Sequence, residues 1–237
     1  LSGVFGVFIL DAMGTDFYPR LTTVAGDNGE LNRLVNEQTE IGMLLGLPGL
    51  VGTMAFSPLL IRIFYSAKFA AAGDLLPLFV LGIYGRIVSW PIGYIQLAKG
   101  AARWYAATET VFTALHLGLL YAGLHGLGLK GVAVAFAVRN LSYTAGILWV
   151  AGKLSGFRWS RPVIRLLVIS GLIMAAIFGL ITLAPERAAW AVGGIMVLAT
   201  GYWCLRQICV RLGPQHRINK LLIRIPLIGR LLRRLIN

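Results

Sequence analysis

The sequence predicts an all-α fold: a polytopic membrane helix bundle of about six complete transmembrane helices, preceded by a truncated one. Three observations predict it. Only 13% of the 237 residues are charged and 57% are hydrophobic, with a mean hydropathy of +0.77; a soluble domain carries roughly 25% charge. The apolar residues come in long blocks, and about 20 in a row are what spans a bilayer. Polar or Gly/Pro-rich turns separate the blocks. Backbone groups in lipid must be paired within the protein, so these blocks are helices. The short alternating segments of a β-barrel do not occur.

Residues 1–15 read as the end of a transmembrane helix whose start is missing. Leu1 is not followed by a basic region or a small-residue cleavage site, so the segment is not a signal peptide. The chain therefore reads as the C-terminal portion of a longer protein. Residues 16–40 are polar and read as a cytoplasmic interfacial helix. Within it Asp27-Asn-Gly-Glu30 has capping-box spacing: Asp27 caps a helix start and Glu30 reaches back to it. Residues 41–151 hold four spans, at 41–61, 75–98, 106–124 and 132–151. Two additional spans follow at 164–184 and 190–208. Residues 209–237 form a basic amphipathic cytoplasmic tail, with Leu221, Ile225, Ile228 and Leu232 beside Arg224, Arg230 and Arg233. Such a tail lies on anionic inner-leaflet lipids, each basic residue contributing about 1 kcal/mol.

Orientation follows from Lys and Arg. One set of alternate loops holds Arg20, Arg33, Lys99, Arg103, Lys153, Arg158, Arg161 and Arg165, with eight more from Arg206 onward. The other holds Arg62, Lys68, Lys130 and Arg187. The bias places the C-terminus in the cytoplasm. It also accounts for the net charge of +13 without nucleic acid, because the charge tracks one set of loops. Trp104, Tyr105, Trp159, Trp190 and Trp203 fall at the expected interfaces, as aromatic belts do.

Ionisable residues in mid-span are costly and commonly mark a pathway. Arg86 is near the centre of its span, on a face with Gly82, Ser89, Trp90, Gly93 and Gln96. Arg139 is central in another span, beside Asn140 and on a face with Ser142, Tyr143 and Gly146. Glu109 and His116 stand seven residues apart on one side of a third, and are the carriers available if a proton is coupled to transport. Asp11 and Asp16 could also counter an arginine. The bland reading is that the arginines pair with Glu109 and lock the bundle. Yet two central arginines against one acid leave surplus positive charge, which suits an anionic head group such as a diphosphate. Gly42, Gly46, Gly49 and Gly52 around Pro48 give a small-residue face for close helix packing. Cys204 and Cys209 have no metal-motif spacing and read as apolar fillers, and the three histidines do not cluster. Neither a catalytic constellation nor a cofactor motif is present, so neither an enzyme nor a cofactor is expected.

The run from Leu10 to Thr22, Leu-Asp-Ala-Met-Gly-Thr-Asp-Phe-Tyr-Pro-Arg-Leu-Thr, resembles the end of a middle helix in bacterial polysaccharide biosynthesis proteins. These are the O-antigen flippases of the multidrug/oligosaccharidyl-lipid/polysaccharide exporter superfamily. Asn36-Glu-Gln-Thr-Glu40 leading into Leu47-Pro-Gly49, Ile63-Phe-Tyr-Ser-Ala-Lys-Phe69, Ser89-Trp-Pro-Ile-Gly93 and Leu97-Ala-Lys-Gly100 are similar in the same way. The likeness covers nearly the whole chain and is weakest after Arg165. It implies the C-terminal bundle of a MATE-like transporter in a bacterial inner membrane. The implied cargo is an undecaprenyl-diphosphate-linked oligosaccharide, carried from the inner to the outer leaflet. A polysaccharide polymerase and glycosyltransferases are the implied protein partners. Arg86, Arg139, Asn140, Gln96 and Tyr143 are the positions that would line the cavity. A drug or cation exporter of the same superfamily, which would need acids in the cavity, and a non-transporting scaffold for glycan assembly remain alternatives.

Overall fold

The computed structural model describes residues 15–65, 67–69 and 72–212. The expectations for residues 1–14, including Asp11, and for the tail from 213 lie outside the described residues. Every described element is helical: α1 (15–23), α2 (Asn28–Ala55), α3 (Ser57–Phe64), a 3-10 turn (Ala67–Phe69), α4 (Ala72–Ala98), α5 (Ala102–Leu127), α6 (Leu129–Ser155), α7 (Arg161–Leu183) and α8 (Glu186–Leu212). Five of them are long and apolar enough to cross a membrane, or six if α2 and α3 together count as one span. The helices run up and down. The starts of α2, α5 and α7 share one end with the finishes of α4, α6 and α8, called the near end below.

The entry to α2 shows how local chemistry sets a boundary. Asp27 is extended, and its Oδ1 accepts from the backbone N–H of Gly29 (2.8 Å) and Glu30 (3.2 Å). Glu30 does not reach back as the capping-box spacing suggested. Its carboxylate turns forward to the Arg33 guanidinium, which Glu37 also holds. Nor is 16–40 one interfacial helix. A turn at 24–26 ends α1, and α2 then runs unbroken from Asn28 through Pro48 to Ala55. Two asparagines of its first turns face inward as tethers. Asn32 Nδ2 donates to the Ser155 carbonyl (2.9 Å), and Asn36 Oδ1 accepts from the Ser160 N–H (2.8 Å), holding the connection from α6 to α7.

The break in the first span falls at Phe56, where the axis turns by 82° into α3. Pro58 has no N–H to continue the ladder of α2, and it sits in the first turn of α3, where none is needed.

The bundle is built outward from α2 and α4. On one side α2 carries α7 and α8, each packed against it and touching the other sparingly. On the other side α4 packs closely on α6, and α6 in turn on α5. Small residues permit these approaches. A Cβ at Gly82 would strike the Phe136 ring, and one at Gly85 would lie 3.3 Å from the Asn140 carbonyl. Gly46 faces Ile87 of α4, whereas Gly52 faces Val197 of α8, so the glycine face of α2 serves two partners. Gly123 and Gly131 bring the α5 and α6 backbones together at the far end. The single residue between those helices, Gly128, has φ 60° and ψ −140°, a conformation closed to other residues. The core centres on Met43, Leu47, Val51, Met54, Val80, Ile83 and Ile87, with Met174 and Ile177 from α7. Cys204 and Cys209 are buried, as apolar fillers are.

Candidate functional site: a cationic cleft

A cleft of about 430 Å³ opens along one side of α4, from mid-helix toward the near end, walled by α5 and α6. From α4 it is lined by Arg86, Ser89, Trp90, Gly93, Tyr94 and Leu97, from α5 by Tyr105 and Glu109, and from α6 by Arg139, Asn140 and Tyr143. Positions 86, 89, 90, 93 and 97 recur at helical spacing, so one face of α4 supplies them all. Gly93 leaves room for the Tyr143 hydroxyl, which lies 3.8 Å from where a Cβ would be.

Of the residues singled out in the sequence, Arg86, Glu109, Arg139, Asn140 and Tyr143 meet here. Their contacts form a chain. The Arg139 guanidinium lies over the Tyr143 ring, 5.0 Å from its centroid. The Tyr143 hydroxyl donates to Glu109 Oε1 at 2.8 Å, joining α6 to α5. Arg139 Nη1 donates to Asn140 Oδ1 (3.2 Å), and Asn140 Nδ2 donates to the Phe136 carbonyl (2.8 Å). Asn140 is fully buried, so it is a fixed anchor for Arg139. Glu109 thus faces a tyrosine, and among the described residues neither Arg86 nor Arg139 forms an ion pair with it.

Arg86 is exposed in mid-helix and has no side-chain partner among the described residues. The cleft holds two guanidinium groups and one carboxylate, so it carries excess positive charge. Guanidinium forks match phosphate oxygens in shape and charge.

Two expected residues are elsewhere. Gln96 is buried between α4 and α5, where its Oε1 accepts from Thr108 Oγ1 (3.2 Å) and its Nε2 has no partner among the described residues. It does not line the cleft. His116 also points to α6, edge-on to Phe136 at 6.5 Å, but outside the cleft lining. Asp16 pairs with Arg20 of its own helix at 3.6 Å, in an exposed position.

Helical spacing alone does not single out Tyr94 or the contribution of α1. Phe17 lies 6.0 Å from Trp90 and 5.7 Å from Tyr94, and Tyr18 lies 5.6 Å from Tyr94, ring centroid to ring centroid. This aromatic group borders the cleft. Its signal in the sequence was the Phe17-Tyr18 pair, whose partner helix only the fold reveals. Among the described residues no group of His, Cys, Asp and Glu is placed to hold a metal ion.

Comparison with protein-family models, with curated proteins and with solved structures finds no match for this chain.

Proposed function

We propose that the chain is the C-terminal half of a flippase that carries an undecaprenyl-diphosphate-linked oligosaccharide across a bacterial inner membrane, with its C-terminus in the cytoplasm. The observation that carries this reading is Arg86: a mid-span guanidinium with no side-chain partner among the described residues, sharing an open cleft with Arg139. A purely structural arginine would be consumed by a carboxylate, and the nearest candidate, Glu109, accepts from Tyr143. On this reading the two arginines hold the diphosphate. The aromatic rings of Trp90, Tyr94 and Tyr105 offer faces on which sugar rings stack. The bundle then acts as one of two halves that rock about the bound head group, as the family resemblance implies. Excess positive charge in the cleft disfavours a cation exporter.

The test is made in the host, on the intact gene. Deletion should cause a complete oligosaccharide to accumulate on the undecaprenyl diphosphate carrier, read by mass spectrometry of extracted lipids. Arg86→Ala and Arg139→Ala should do the same at normal protein level. Unchanged carrier lipids and unchanged surface glycan after deletion would overturn the reading. A phenotype on deletion, with both arginine variants behaving as wild type, would favour the scaffold instead.

A further inference from the structure

We propose that a second pocket, at the near end between α2, α7 and α8, binds the phosphate headgroup of an anionic membrane lipid. The pocket has a volume of about 310 Å³ and lies apart from the cleft, with no lining residue in common. It exists because α7 and α8 each pack on α2 and scarcely on each other, which leaves a gap between them.

Its lining is divided by depth. At the rim stand Arg161 and Arg165 of α7 and Arg211 of α8, with Gln207 beside them. Glu40 of α2 is the one acid, buried at 8% exposure and paired with Arg211. Arg161 and Arg165 have no carboxylate or hydrogen-bond partner among the described residues. Residues 213–237, which follow α8, contain neither Asp nor Glu in their sequence, so no side chain there can neutralise them. Three guanidinium groups against one carboxylate leave the rim cationic. The start of α7 adds to this. Ser160 provides no side-chain cap and the first turn contains no acid, so the positive end of the helix dipole is left uncompensated at the rim.

The deeper wall is apolar. Leu44, Leu166, Ile169 and the Trp203 indole face the gap. Ile169 is eight residues along α7 from Arg161, about 12 Å toward the middle of the bundle at 1.5 Å per residue. A free phosphate ion needs only the rim. A lipid uses both parts: the phosphate among the arginines, and the acyl chains along the apolar wall. In a bundle that crosses a bilayer, the ends of α7 and α8 are at headgroup depth, where a basic pocket between helices selects anionic lipid. The inference stands on this pocket alone and does not depend on what the cleft carries.

The test is native mass spectrometry of the purified chain in detergent, titrated with phosphatidylglycerol and, separately, with phosphatidylcholine. Wild type should retain one phosphatidylglycerol that phosphatidylcholine does not replace. Arg161→Gln with Arg165→Gln should bind it roughly 20- to 30-fold more weakly, about fivefold per arginine. Gln207→Glu should also lose it; this variant sets a new acid among three arginines, so it remains folded even if the double variant does not. Lys130→Gln, at the far end and outside both sites, should bind as wild type. Equal retention by wild type and Gln207→Glu would overturn the proposal, as would equal binding of phosphatidylcholine. Displacement of the lipid by millimolar inorganic phosphate would assign the rim to a free ion and overturn it too.

Discussion

Tyr143 joins both signs of charge in the cleft, its ring under the Arg139 guanidinium and its hydroxyl on the Glu109 carboxylate. Tyr143→Phe keeps the ring and removes the donor, so the two contacts can be separated. We expect a stability loss of about 0.5–1.5 kcal/mol, the usual worth of such a bond between helices, read by reversible unfolding in mixed micelles. A variant as stable as wild type would show that the hydroxyl contributes nothing to joining α5 and α6. At this scale the sequence was informative where helical spacing is short. Arg86 and Gly93 are two turns apart, and Arg139 and Tyr143 one, so each pair shares a face whatever surrounds it. Gln96 is ten residues from Arg86, and at about 100° per residue that carries it some 80° round the helix. It therefore turns to Thr108 of α5. Spacing puts Glu109 and His116 on one side of α5, yet only Glu109 lines the cleft, and its partner was not legible, because a hydrogen bond to Tyr143 depends on how α5 meets α6.

At its far end the helix pair α5–α6 depends on close backbone approach. Gly123 and Gly131 leave no space for a Cβ at either position. Gly131→Val forces the helices apart, and overpacking of this kind costs about 1–3 kcal/mol or more where neither backbone can yield. The expected result is a lowered melting temperature and loss of a disulfide engineered between α5 and α6 near that end. A fully retained crosslink would contradict the close approach. Hydropathy located five helices within a few residues, and its errors share a direction. The windows 75–98, 106–124, 132–151, 164–184 and 190–208 mostly stop short of helices that continue into polar residues past the apolar block. Hydropathy reports depth in a membrane, whereas a helix ends where its backbone ladder ends. The same blindness merged α2 and α3 into one straight span, since an apolar window is unchanged by an 82° turn. The dipeptide Ser57-Pro58 carries that signal, a proline in the first turn of a new helix. Pro48, by contrast, lies inside an unbroken α2.

For the whole molecule, the loop charges give a direction that the helix arrangement makes testable. The near end gathers Lys99, Arg103, Lys153, Arg158, Arg161 and Arg165, and the opposite end has few basic residues. By the positive-inside rule, the proposed orientation has the near end in the cytoplasm. In a background of Cys204→Ala and Cys209→Ala, a membrane-impermeant maleimide added to intact spheroplasts should label a Lys130→Cys variant and spare Arg158→Cys. The reverse pattern would invert the topology and the proposed direction of transport. The second cationic pocket was invisible in the sequence, for a reason of scale. Its residues come from positions 40, 161, 165 and 211, and only the pair on α7 is close in the chain. Nothing local marks a gap that arises because two consecutive helices both prefer a third.

That preference has a mechanical consequence. Consecutive helices that adhere to each other leave a membrane together under load, while those that adhere to a common neighbour leave one at a time. Drawn out from the C-terminal side by a cantilever, α8 and α7 should therefore give two separate rupture events, each stripping one flank of α2. The pair α6 and α5, tied at Gly123 and Gly131, should come free in a single longer one.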